Sequence, residues 1–212
     1  MLALGLDTAT PAISVALVDG EETVAARREV AANRHGERLA PLIAEVLREA
    51  GATPADLVAI GAGVGPGPFT GLRVGIVTAQ SMADALGIPA YGECSLDLIA
   101  ATAPVAGQPF VVMTDARRHQ VYWAAYDAAG ERVAGPDIAP PESVADRIDG
   151  DRQHVVGPGA PRYREHYPDA AAAAFRAARR AAAGEPGERL RPLYLRRPDA
   201  RPPSRPKRVL PA

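Results

Sequence analysis

The chain has 212 residues, 47% of them apolar, and a formal net charge of −1. That is enough for one large domain or two small ones with a sizeable core, and too little charge for a molecule that binds nucleic acid through its overall field. Cys94 is the only cysteine, which excludes a disulfide framework and any multi-cysteine metal site and suits a small buried apolar role.

Leu2, Leu4 and Leu6 alternate up to Asp7, predicting a strand with one buried face. A turn at Thr8-Ala9-Thr10-Pro11 leads to a second alternating run, Ile13, Val15 and Leu17. Asp19-Gly20 is a hairpin signal, so the polar segment 21–29 is expected as a third strand near an edge. Leu39, Leu42, Ile43, Val46 and Leu47 then fall at helical spacing, with Gly51 as the stop. Pro41 should sit in the first turn of that helix or kink it. Thr53-Pro54-Ala55-Asp56 reads as a capped short turn.

Next comes the stretch around which the chain is organised. An apolar run, Val58 to Val64, enters Gly65-Pro66-Gly67-Pro68-Phe69-Thr70-Gly71 and leaves in helical period from Leu72. Thr70 is the expected N-cap and Gly87 the stop. Such a loop lets the backbone approach another body closely. A Walker loop would need Lys and Ser/Thr after the last glycine, where Leu72-Arg73 stand. The dinucleotide fingerprint has different spacing, and two prolines remove amides that would cradle phosphate. A rigid strand-to-helix corner is the plain alternative.

A short strand at 88–91 and a helix capped by Ser95 follow, completing β-β-β-α-β-α-β-α. An antiparallel meander before parallel units predicts a mixed sheet with helices packed on it. Residues 103–109 look like a boundary. Beyond it, strands at 110–115 and 121–126 repeat the opening plan in reduced form, followed by a helix at 142–148, a strand near 154–157, an Ala-rich helix at 169–183 and a short strand at 193–195. The expected division is therefore 1–103, 104–196, and a tail at 197–212. The tail carries Arg197, Arg201, Arg205, Lys207 and Arg208 among five prolines. It can bury little apolar area and is expected to be disordered and solvated, with contact to RNA phosphate as the alternative.

Candidate chemistry is sparse. Asp7 and Asp115 end corresponding strands of the two halves, where sheet proteins bind ligands. With Thr8 and Thr10 they are the candidates for holding Mg²⁺ on a nucleotide; the plain reading is a turn-forming aspartate. The intervening loop lacks glycines that would admit a phosphate chain. His35 opens the first helix, but position 39 is Leu, so a two-ligand helical metal site is not formed. No metal site, cofactor or catalytic set is expected. The N-terminus lacks a basic region leading into an apolar stretch, and no run approaches a membrane span, so a cytoplasmic protein without membrane contact is expected.

Gly65-Pro66-Gly67-Pro68-Phe69-Thr70-Gly71-Leu72-Arg73-Val74-Gly75 resembles the TsaB (YeaZ) family of bacterial threonylcarbamoyladenosine biosynthesis proteins. Weaker matches are Leu6-Asp7-Thr8-Ala9-Thr10, His35-Gly36-Glu37-Arg38-Leu39, Asp115-Ala116-Arg117 and Leu193-Tyr194-Leu195-Arg196. The likeness is nearly continuous in the first half and patchy beyond Asp127. It implies an actin-like, Hsp70-like (ribonuclease H-like) α/β fold of two related subdomains, the second reduced. It implies partnership with the catalytic subunit TsaD and the ATPase TsaE, which together transfer threonylcarbamoyl from its adenylate to the adenosine beside the anticodon of tRNA. TsaD carries a two-histidine metal motif; His35 matches the first ligand and Leu39 stands at the second.

A non-catalytic scaffold is therefore expected, pairing with TsaD, or with a second copy when alone, and reaching tRNA only through the complex. The expected contact residues are His35, Leu39, Leu42, Ile43, Val46, Phe69, Leu72 and Ile76. The alternative is an actin-like Mg-nucleotide kinase or hydrolase active by itself.

Overall fold

The computed structural model describes residues 1–105, 107–144, 154–160 and 165–196. The opening meander is β1 (Leu2–Asp7), β2 (Ala12–Asp19) and β3 (Glu22–Val30), followed by α1 (His35–Glu49). Then come β4 (Leu57–Gly63), α2 (Phe69–Leu86), β5 (Ala90–Glu93) and α3 (Ser95–Ala100). The second half holds β6 (Phe110–Asp115), β7 (Val121–Tyr126), β8 (Arg132–Ala139), β9 (His154–Val156) and α4 (Ala170–Ala182).

The first sheet has the order β3-β2-β1-β4-β5, with antiparallel meander pairs and parallel β1–β4 and β4–β5 pairs. The second has the order β8-β7-β6-β9, antiparallel, antiparallel, parallel. Strand for strand this is the β3-β2-β1-β4 plan again, so the reduced second copy expected from the sequence is present. The mixed, helix-flanked α/β class is likewise as expected.

Strand periodicity decides the two faces of the first sheet. Leu4, Leu6, Ile13, Val15, Leu17 and Ile60 point one way, into a core shared with Leu39, Leu42, Ile43, Val46, Leu72 and Ile76 from α1 and α2. Full burial of each such large side chain contributes about 1.5–3 kcal/mol. The opposite face is small: Ala3, Ala16 and Ala59 meet the Ala170, Ala171, Ala174 and Ala177 side of α4. The first strand thus has two buried faces where one was expected. A Cβ on Gly5 would lie 1.8 Å from the Ala170 carbonyl oxygen, and one on Gly61 would lie 2.1 Å from that of Ala173. Bare strand positions and an alanine stripe together let α4 pack at backbone contact. A helix that follows the second half in sequence therefore packs on the first sheet.

Several local expectations change. Thr70 does not cap α2: Pro68 is the N-cap residue and no side chain caps it. Ser95 is the first residue of α3 rather than its cap, because its hydroxyl is engaged elsewhere. Pro41 sits in the second turn of α1, beyond the first turn where its missing N–H would cost nothing. Residues 193–195 form no strand; Leu193 N–H donates to the Val64 carbonyl at 2.7 Å. Strand β8 was not anticipated, since Gly135 and Pro136 interrupt its pattern. The helix expected at 142–148 shows a 3-10 turn at Pro141–Ser143, and its remainder beyond Val144 lies outside the described residues, as does the tail at 197–212.

Candidate functional site

A cleft of about 330 Å³ opens where the β1–β2 turn, the start of α1, the start of α2 and the β6–β7 turn converge. Thr8, Thr10, Asn33, Thr70, Arg117 and Arg196 are among its lining residues. Neither Asp7 nor Asp115 lines it.

Asp7 is 1% exposed. One carboxylate oxygen accepts from Ala9 N–H at 2.8 Å, and the other accepts from the Ser95 hydroxyl at the start of α3. A Cβ on Gly63 would lie 1.7 Å from the same Asp7 oxygen. Burial raises its pKa to about 6, against the lowering effect of the Ser95 and Ala9 hydrogen bonds. This buried carboxylate joins the β1–β2 turn to α3 and packs against Gly63 of β4. Asp115 is exposed, beside His119 and Gln120 in a separate recess, and accepts from Arg117 N–H at 2.8 Å. Both aspartates make the same i to i+2 bond, which is the turn-forming role. They do not form a pair for Mg²⁺, and the residues present do not fit a metal–nucleotide centre of that kind.

Thr8 explains the glycine-proline motif. Its hydroxyl donates to the Gly71 carbonyl at 2.8 Å and accepts from Gly75 N–H at 3.0 Å. These are the two groups an i to i−4 bond of α2 would join, so the side chain is inserted into the helix ladder. A Cβ on Gly75 would fall 2.3 Å from that hydroxyl, and one on Gly67 would fall 2.2 Å from the Ala9 carbonyl oxygen. The body that the loop approaches is the chain's own β1–β2 turn. Thr10 is equally committed, accepting from Ala12 N–H at 3.2 Å.

His35 is buried, with Nε2 2.8 Å from the Thr10 carbonyl oxygen. A carbonyl only accepts, so Nε2 carries the proton and is no metal ligand in this state. Leu39 is 1% exposed in the core. Of the expected contact residues, Leu39, Leu42, Ile43, Val46, Leu72 and Ile76 are all buried in the first core, and His35 beneath the β1–β2 turn; Phe69 is half-buried. The plain reading, in which these residues fill the chain's own core, describes them. What α1 leaves outside is Gly36, Glu37, Ala40, Pro41, Ala44, Arg48 and Glu49; what α2 leaves outside is Thr70, Arg73, Val77, Ser81, Asp84 and Ala85. Val77 is 61% exposed. Its spacing at i+4 from Arg73 was the signal available in the sequence. Cys94 is largely buried and its thiol is pushed up to about 11, chiefly by desolvation, so it stays protonated at neutral pH.

A family model described as TsaD, tRNA N6-adenosine threonylcarbamoyltransferase, matches residues 22–164. The threonylcarbamoyladenosine biosynthesis protein TsaB of Haemophilus influenzae is 32% identical over 170 residues, covering 74% of this chain and 71% of that protein. A solved structure of YeaZ from Pseudomonas aeruginosa superposes with a TM-score of 0.78 at 31% identity, covering 92% of this chain and 99% of that one. This chain belongs to the TsaB/YeaZ family. An uncharacterized protein of Mycobacterium leprae is 42% identical over 95% of this chain, which spans 56% of that relative's length. Within the family's framework, the cleft lies between the two sheets' turns, and the hydroxyls of Thr8 and Thr10 are spent on the fold.

Proposed function

We propose that the chain is a non-catalytic scaffold subunit in tRNA threonylcarbamoyladenosine biosynthesis, holding a TsaD-type catalytic subunit and acting with the TsaE ATPase. The relatives named for that pathway support the role. The observation that carries the scaffold reading is a set of exposed uncharged residues on two neighbouring helices, Gly36, Ala40 and Ala44 on α1 and Val77 and Ser81 on α2, with charged Glu37 and Arg73 beside them. Small residues let a partner helix approach closely, and Val77 supplies apolar area to bury at about 25 cal/mol per Å² before association costs. The interface we propose uses residues that the core does not, with Phe69 at its end. A second copy of the chain would use the same face when the partner is absent.

The locked carboxylate of Asp7 supports the non-catalytic half of the proposal. The test is reconstitution: the catalytic subunit should co-purify with this chain and modify tRNA substantially faster in its presence. Modification of tRNA, or ATP turnover at enzymatic rates, by this chain alone would overturn the reading.

A further inference from the structure

The chain is electrically lopsided. From residue 189 to the end it carries eight Arg/Lys residues and one acid, Asp199, although the whole chain has 24 basic and 25 acidic residues. The first part of this segment is held firmly along the molecule. Glu188 N–H donates to the Ala90 carbonyl at 2.9 Å, Leu190 N–H to Gln80 Oε1 at 2.9 Å, and Leu193 N–H to Val64 at 2.7 Å. Arg196 then donates to the Ala116 carbonyl at 2.7 Å and to Gln120 Oε1. Residues 188–196 thus run from the edge of the first sheet to the β6–β7 turn of the second.

Arg189 and Arg191 are exposed along this run, and Arg117 is exposed where it ends. Among the described residues, none of the three is joined to a carboxylate by an ion pair. Asp115, next to Arg117, is the nearest acid in sequence at that end, and Glu188 is held by Arg180. Midway, Tyr194 is 40% exposed and lies 4.5 Å, centroid to centroid, from Phe69. The Arg73 guanidinium sits 5.4 Å and 5.6 Å from the two rings, and its Nε donates to the Tyr194 hydroxyl at 2.7 Å.

We infer that residues 189–196, with Arg73, Phe69 and Arg117, form a surface on which this chain itself docks RNA. Spaced arginines without acidic partners suit successive phosphates, and a fixed aromatic–guanidinium platform suits an unstacked base. The choice of RNA rests on the proposed role in tRNA modification. The surface lies apart from the helix face proposed for the protein partner except at Phe69 and Arg73, so the two can be tested separately. It replaces the expectation that tRNA is reached only through the complex.

The experiment measures fluorescence anisotropy of a labelled tRNA anticodon stem-loop with the isolated full chain across a salt series. Binding that weakens linearly in log–log form with salt is expected. Arg189→Gln/Arg191→Gln should flatten the slope by about 1.4–1.8, which is two lost phosphate contacts, and weaken low-salt binding roughly tenfold or more. Tyr194→Ala should weaken binding to the loop more than to a plain duplex. Thermal melting should be unchanged in the arginine double variant. A chain that binds the stem-loop but does not co-purify with the catalytic subunit would support this surface while overturning the scaffold reading. No binding at low salt, equal affinity and slope in the double variant, or a preference for phosphatidylserine vesicles over RNA would overturn the inference.

Discussion

Two buried side chains next to each other in the sequence, Asp7 and Thr8, were candidates for ligand chemistry, and both turn inward. The Thr8 hydroxyl sits between the Gly71 carbonyl and Gly75 N–H. Thr8→Val keeps the shape and leaves both backbone groups facing a methyl, at a cost of about 1–3 kcal/mol in denaturant unfolding. Thr8→Ser should stay near the unsubstituted stability, since its hydroxyl can make both bonds. For Asp7 the sign follows from the raised pKa, about 6 against an ordinary value of 3.8. The folded state holds its proton more tightly than the unfolded one, so the group lowers stability as pH rises from about 4 to about 6. Above that window the loss is constant, on the order of 2–3 kcal/mol. Asp7→Asn can still accept from Ala9 and donate to Ser95. It should therefore be more stable than the parent at pH 7, with the difference shrinking away below pH 4. Chemical denaturation across pH checks this; a gap independent of pH would refute it.

At the scale of elements, α4 illustrates what composition can and cannot say. Its helical character is legible from thirteen residues that are nearly all Ala and Arg, with Asp169 capping the Ala171 N–H at 2.9 Å. Its destination is not legible, because an alanine face has no size signature of its own. The partner is defined by absence: Gly5 and Gly61 have no side chain where α4 crosses. Gly61→Ala places a Cβ against the Ala173 carbonyl, a rigid atom. The substitution should cost about 1–3 kcal/mol and lower Tm by roughly 2–12 °C, read by calorimetry. Gly36→Ala, on the open side of α1, has nothing within 4 Å and serves as the control. An undiminished Tm in Gly61→Ala would mean that α4 docks elsewhere.

At the scale of the molecule, the two sheets repeat one plan, and the helices of the first half expose on their outer face small uncharged residues, with Val77 the large apolar one, among charged neighbours. Val77→Arg puts a charge at the middle of that face. Because Val77 is 61% exposed, the chain's own stability should change by less than about 0.5 kcal/mol. Co-purification with the catalytic subunit should nonetheless drop at least tenfold, a buried unpaired charge being costly at an interface. Retention of full binding would move the interface off α2. No helix among the described residues is long and apolar enough to cross a membrane.

Local pattern alone determined most of the strands, the four main helices, the mixed sheet and the repeated plan, because hydrophobic period and turn residues act over a few positions; it missed β8, where Gly135 and Pro136 break the pattern, and placed a strand at 193–195 that does not form. It also marked the glycine-proline motif as the organising stretch. Tertiary structure alone decided what that motif touches, which of the apolar helix residues are core, and where α4 lies. The reason is physical. An apolar stripe reads the same whether it faces its own sheet or another protein, and a glycine reads the same whether it makes room for a phosphate or for Thr8. Only the identity of the opposing atoms distinguishes these cases, and those atoms come from distant parts of the chain.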